Sequence, residues 1–206
     1  MSQILAQENF DSYSNNQSLV GLNGGIGFTS AWSVAGAAIV SNGFSVWYPL
    51  SALLNNGSYC NASRQHAPFT KFMYSFRIRT NASSYPEFLS HNGTNSFRLQ
   101  FTNDSNKIKC IVNANTIDTG KTWQSNTTYK IDIYIDLSTN TFKIYIDDVL
   151  CYSISNYSNN GAGFYEMYLI SPGSSNASYF DDIYILDYNE HDVSFSDYPK
   201  FFSVLI

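Results

Sequence analysis

Lys130-Ile-Asp-Ile-Tyr-Ile-Asp-Leu137, Ser138-Thr-Asn-Thr141 and Phe142-Lys-Ile-Tyr-Ile-Asp147 form the stretch whose reading decides the fold. Successive side chains of a strand point to opposite faces, so Ile131, Ile133, Ile135 and Leu137 share one face, as do Phe142, Ile144 and Ile146. Setting Leu137 and Phe142 at the two ends of a four-residue loop predicts a hairpin with Tyr134 opposite Tyr145, Asp136 opposite Lys143 and Ile135 opposite Ile144. A one-residue slip would aim the isoleucines of one strand at the tyrosines and aspartates of the other, so the face assignment is strongly specified.

Outward from this ribbon, Asp147-Asp148 predicts a turn into a strand from Val149 to Ile154. Further short β-branched and aromatic runs predict strands over 43–48, 72–79, 97–102, 107–113, 164–170 and 179–186, between clusters of Asn, Gly and Ser. No stretch of twelve or more residues carries an apolar helical period. Pro49-Leu-Ser-Ala-Leu-Leu54 reads either as one helical turn or as a plain loop. The expected class is all-β, a two-sheet antiparallel sandwich in one domain over 1–206, with its core at about 8–186. Residues 195–206 read as a terminal strand or a docking arm, with Phe201, Phe202, Val204, Leu205 and Ile206 as the docking residues.

Composition sets outer limits. The chain has 206 residues, and a globular protein of 23.2 kDa buries about 70% of its surface, enough for a self-sufficient core. Sixteen acidic against eleven basic side chains give a net charge of −5, which opposes a phosphate backbone and argues against nucleic acid as a partner. No stretch approaches the roughly 18 apolar residues of a membrane span, and the first residues carry no export signal, so a soluble protein made in a cytoplasm is expected. Cys60, Cys110 and Cys151 cannot all pair in one chain and none has zinc-site spacing, so free thiols are expected, with Cys110 beside Ile108 and Val112 on a core-facing strand. The Asn-x-Ser/Thr triplets, lacking a secretory route, read as turn chemistry.

Four segments in order resemble the concanavalin A-like lectin/glucanase superfamily, particularly laminin-G-like jelly rolls. They are Glu8-Asn-Phe-Asp11, Trp123 before Tyr129-Lys-Ile-Asp, Ile146-Asp-Asp-Val-Leu150, and Tyr179-Phe-Asp-Asp-Ile-Tyr-Ile185. Asp148 stands where such domains usually carry a glycine, and aspartate also tolerates a turn. The resemblance implies a jelly-roll fold and no particular activity.

The superfamily includes glucanases, whose acid-rich strand sets two carboxylates on one face. Glu190-His-Asp-Val-Ser-Phe195 supplies the first two acids of that pattern but has Phe195 in place of the last, so a non-enzyme is expected. His66, His91 and His191 lie in polar, turn-like sequence without a nucleophile motif. The resemblance also implies a calcium ion tying the first and last strands, for which Glu8, Asp11, Asp181 and Asp182 are candidate ligands. The alternative is that Asp181 and Asp182 cap turn amides while Glu8 is solvated. Tyr134, Tyr145 and Tyr184 are expected on the non-core face of the ribbon's sheet, where they would stack on sugar rings, form a protein interface, or lie covered. Taken together, these readings lead to an expected virion structural protein, a capsid decoration or a tail or fibre component of a bacteriophage. Its expected partners are other virion proteins and host-surface glycans, in a homotrimer. A lectin working outside any virion is the alternative.

Overall fold

A computed structural model describes residues 3–43, 50–54, 59–80, 85–94, 96–112, 114–157, 162–171 and 177–187. Among these residues there is no helix. The chain runs through β1 (Ile4–Glu8), β2 (Ser33–Ala35), β3 (Ala38–Ser41), β4 (Ser51–Leu54), β5 (Cys60–Phe69), β6 (Lys71–Thr80), β7 (Glu87–His91) and β8 (Ser96–Phe101). It continues through β9 (Lys107–Val112), β10 (Asn115–Thr122), β11 (Thr128–Asp136), β12 (Thr141–Ile146), β13 (Val149–Ile154), β14 (Phe164–Ser171) and β15 (Ser178–Leu186). The first sheet has the order β13-β12-β11-β6-β15-β4-β3, with β1 also paired to β15; the second has the order β10-β9-β8-β7-β14-β5-β2. Every pairing is antiparallel.

The isoleucine stripe faces the core as its alternation dictates: Ile131, Ile133, Ile135, Phe142, Ile144 and Ile146 are fully buried. Opposite them the second sheet contributes Phe88, Phe97, Leu99, Phe101, Ile108 and Cys110. Phe76 stacks on Phe88 at 4.3 Å between ring centroids, so the two layers meet through aromatic faces. Each such side chain removed from water contributes about 1.5–3 kcal/mol.

The register of the ribbon differs from the expected one by two residues. Tyr134 opposes Lys143, Asp132 opposes Tyr145, Ile135 opposes Phe142 and Asp136 opposes Thr141. The cause is the Asp136 carboxylate: Oδ1 accepts from the Ser138 amide at 2.9 Å and the Ser138 hydroxyl at 2.6 Å, which draws Leu137 into the turn. Asn140 completes that turn at φ 53°, and the Leu137 amide donates to the Thr70 carbonyl instead of to β12. A two-residue shift preserves the faces, so the core stripe is unaffected.

Residues 51–54, expected as a helical turn or loop, form a buried strand between β3 and β15. Ala52 and Leu54 enter the core there, and the neighbouring strands supply the backbone partners that a helical turn would have needed from itself. Of the strand expected over 43–48, Gly43 lies in a turn after β3 and 44–48 fall outside the described residues, as do the candidate docking residues at 201–206 and the segment 190–195.

Candidate functional site

The tyrosines of the ribbon's sheet lie on its outer face but make no tyrosine pair across the hairpin, because Tyr145 opposes Asp132. Tyr134 is only 3% exposed, packed with Met73, Leu186 and the half-buried Tyr184, and its hydroxyl donates to Asp136 Oδ2 at 3.1 Å. Tyr145 is half-buried, and burial, reinforced by Asp132, raises its pKa. The face therefore offers edges of Tyr145 and Tyr184 and no open Tyr134 ring.

The four acidic candidates divide into two environments. Glu8 is buried against Arg64, whose Nη1 lies 2.6 Å from Oε2, and it also accepts from the Phe10 amide and the Tyr13 hydroxyl. The other Arg64 donors serve Ser30 O, Asn23 Oδ1 and Gly24 O, so both members of this ion pair are fully engaged. The pair ties β1 and β5 to the 9–32 connection, and its geometry leaves Glu8 unavailable to a cation.

Asp11, Asp181 and Asp182 instead influence one another. Asp182 sits at φ 49° in a bulge of β15 against β6, where Arg77 Nε donates to its Oδ2 at 2.9 Å; its buried Oδ1 has no hydrogen-bond partner. Burial, then repulsion from Asp182, pushes the Asp181 carboxyl up to about 9. Burial and Asp182 likewise raise Asp11. Among the described residues no group of three or more acidic, histidine or cysteine side chains is arranged to hold a metal ion. The corner fits a cation in the chemistry of its oxygens, but the side chains do not converge.

A second surface, which the sequence reading passed over, lies on the outer face of the second sheet. Phe88 and Ser90 of β7, and Met167 and Leu169 of β14, point inward, so the residues between them point out. Strand pairing aligns them in rows across the sheet. One row runs Ser33, Ser63, Tyr168, Leu89, Arg98; the next runs Gln65, Glu166, His91, Ser96. Tyr168 and His91 stack at 5.4 Å with an interplanar angle of 28°, and Tyr165 meets His91 edge-on at 5.8 Å.

The His91 ring is oriented at both nitrogens. The Gly93 amide donates to Nδ1 at 3.0 Å, so Nδ1 carries no proton and Nε2–H faces Glu166 Oε2 at 3.2 Å and the Tyr168 hydroxyl at 3.3 Å. Burial, followed by the neighbouring Glu166, pushes the Tyr168 phenol up to about 12. Tyr59, the residue before β5, is 55% exposed, and its phenol lies close enough to Tyr168 to contribute to that rise. In the next row Glu87 accepts from Gln100 at 2.6 Å and pairs with Arg98 at 3.3 Å, and its pKa is raised by burial against their opposing pull. Aromatic faces, a carboxylate, amides and hydroxyls thus share one surface.

A buried polar chain supports this surface from below. His66, expected in a turn, is 2% exposed on β5. Its Nδ1 bonds the Ala67 carbonyl and its Nε2 meets the Tyr74 hydroxyl at 2.6 Å; Tyr74 meets Ser90 Oγ at 2.9 Å, and Ser90 donates to the Glu166 carbonyl at 2.8 Å. The chain therefore ends on the backbone of the residue that holds His91. Desolvation pushes the His66 imidazole down to about 4.

No family model matches the sequence, and no curated protein matches it. Solved structures share its fold at low sequence identity. Domain 4 of AbnA, an extracellular GH43 arabinanase from Geobacillus stearothermophilus, in complex with arabinotriose, superposes with a TM-score of 0.61 at 13% identity, over 90% of this chain and 93% of that one. The potassium-bound carbohydrate recognition domain of Emp46p gives 0.54 at 11% identity, over 82% and 96%. A sialidase gives 0.63 at 11% identity, and 95% of this chain spans only 20% of its length. The fold is the two-sheet jelly roll of concanavalin A-like, lectin-like domains.

Proposed function

We propose that this chain binds carbohydrate, without turnover, through the outer face of the second sheet. The observation that carries the proposal is the stacked Tyr168–His91 pair with the Glu166 carboxylate at its edge. Aromatic rings meet the C–H face of a sugar, while carboxylate and amide oxygens accept from its hydroxyls. The arabinotriose complex of one structural neighbour and the carbohydrate-recognition role named for another support the same class of ligand. Binding without hydrolysis is favoured by the placement of the two glutamates on this face. Glu87 opposes Ile170, four residues from Glu166, which sets their Cα atoms roughly 13 Å apart along the sheet, and each carboxylate has its own partners, Arg98 and Gln100 for Glu87 and His91 for Glu166, which disfavours the close carboxylate pair that hydrolysis needs.

A printed glycan panel tests the proposal. The wild type should retain a defined set of glycans and Tyr168→Ala should lose them while keeping its melting temperature; a Tyr168→Ala protein that binds like the wild type would refute the site.

The calcium that the resemblance implies stays outside this proposal, because Glu8 is held by Arg64, and Asp11, Asp181 and Asp182 do not converge as a ligand set among the described residues. Attachment to a virion as a homotrimer is a separate proposal resting on the sequence alone, with an extracellular lectin as its alternative. Mass spectrometry of purified particles tests it by the presence or absence of this chain.

A further inference from the structure

We propose that Asn16, Asn103 and Asn126 are acceptors of N-linked glycan, so that the chain itself carries carbohydrate on its connecting loops. The inference goes beyond the carbohydrate-binding reading and does not depend on it. Nine Asn-x-Ser/Thr triplets occur in the sequence, whereas 22 asparagines and 41 serines and threonines among 206 residues would produce about four by chance. Five of the nine lie wholly within the described residues, beginning at Asn16, Asn61, Asn92, Asn103 and Asn126.

Turn geometry accounts for the asparagines but not for the hydroxyl two residues later. Asn16 and Asn126 stand at φ 65° and 60°, a region that asparagine tolerates better than most residues. Neither conformation asks for a hydroxyl at Ser18 or Thr128. Thr128 opens β11 opposite Arg79, and Ser18 Oγ accepts from the Val20 amide at 3.3 Å, a bond that runs forward along the chain and not back to Asn16. At Asn92, where the carboxamide does close a turn, Oδ1 accepts from the Thr94 amide at 3.1 Å, so the backbone serves and the hydroxyl is not required.

The fold sorts the five triplets by access. Residues 16–18, in the connection before β2, and 103–105, in the β8–β9 loop, are exposed at every position. Asn126 is exposed in the β10–β11 connection, and its contact with Arg79 at 3.5 Å uses Oδ1 and not the reacting Nδ2. Asn92 is 7% exposed and its Nδ2 donates to the Ala162 carbonyl at 2.7 Å, a bond that a sugar would break. Asn61 is held inside β5 between β14 and β2, with Nδ2 directed to the Tyr59 hydroxyl at 3.4 Å. Because Cys60 and Ala62 point inward, Asn61 lies on the outer face of the second sheet, among the residues proposed to bind sugar. The three open acceptors lie in no strand: the Asn16 and Asn126 amides donate to the Val40 and Thr80 carbonyls of the first sheet, at 2.8 and 2.7 Å. Transfer joins Nδ2 to the anomeric carbon of an oligosaccharide carried on a polyprenyl diphosphate. The C–N bond forms as the bond from that carbon to the diphosphate oxygen breaks; the diphosphate leaves with the electron pair and Nδ2 gives up one proton.

The test is peptide mass spectrometry of the full chain purified from the organism that encodes it, as wild type and as Ser18→Ala, Ser105→Ala and Thr128→Ala variants expressed there. Wild-type peptides holding Asn16, Asn103 and Asn126 should carry adducts of whole sugar units, and those holding Asn61 and Asn92 should carry none. Each alanine variant should lose the adduct on the asparagine two residues before it and keep the other two. Asn16→Gln, Asn103→Gln and Asn126→Gln serve where an alanine variant misfolds. An unmodified peptide removes its own site, and three unmodified peptides overturn the proposal. Adducts that survive loss of the hydroxyl overturn it as well, and adducts on Asn61 or Asn92 of the folded protein overturn the sorting by access. Retention on the glycan panel is read separately, so failure here leaves the carbohydrate-binding reading standing.

Discussion

Acidification should act on this fold through His66, and replacing that residue isolates its share. The folded protein keeps the imidazole neutral down to about pH 4, whereas an unfolded histidine protonates near 6.5. Between those values the unfolded chain binds more protons, so this group's stabilising contribution is present above about pH 6.5 and is lost as the pH falls toward 4. Integrating the two titrations gives a loss of about 1.8 kcal/mol between pH 7 and pH 5, and about 3.4 kcal/mol once both pKa values are passed. Burial, and not the polar chain, keeps the ring neutral. Three protons, on neutral His66, Tyr74 and Ser90, serve four contacts, so one contact is short of a donor, and burial still disfavours the fourth proton more than its bond would return. The assay is urea denaturation of the wild type and His66→Gln at pH 7 and pH 5. The variant should be less stable at both, but the difference between the two proteins should shrink by about 1.8 kcal/mol on acidification. A difference that stays constant with pH would refute the depressed imidazole and with it the dry core beneath Glu166.

Other predictions use the same measurements. Asp181 has the opposite slope: its carboxyl stays protonated in the fold up to about 9, so its stabilising share is lost as the pH rises toward that value. Asp181→Asn should therefore flatten the decline in stability between pH 6 and pH 9, and an unchanged slope contradicts the assignment. Glu8→Gln leaves Arg64 charged and buried without its partner, and denaturant melts should show a loss of about 3–5 kcal/mol; a loss under about 1 kcal/mol would mean the pair is solvated.

Much of the fold was legible because hydrophobic alternation carries it. Ile131, Ile133 and Ile135 announce their faces with no help from the rest of the chain, and the two-residue error in pairing arose from the Asp136 turn, whose hydrogen bonds outweigh loop length. Strand β5 was hidden because two of its inward positions are Arg64 and His66, and their partners Glu8 and Tyr74 come from elsewhere in the sequence. The short strand β4 was hidden because four residues without β-branching look the same in a loop. The candidate site was hidden for a different reason. Tyr168, His91 and Ser63 are unremarkable separately, and only the order β7-β14-β5 sets them side by side. The one local signal was Glu166 and Tyr168 alternating with Met167 and Leu169 on a predicted strand. The ribbon tyrosines attracted attention because they sit in the clearest hairpin, yet Tyr134 spends its ring on Met73 and Leu186.

The central claim places the ligand on the second sheet. Backbone amide shifts followed by NMR during titration with a glycan retained on the panel test it most directly. The largest changes should fall on Leu89, His91, Gly93 and Tyr168, with Tyr145 and Tyr184 unmoved. Shifts confined to Tyr145, Tyr184 and their neighbours would contradict the account and move the ligand to the other face of the sandwich.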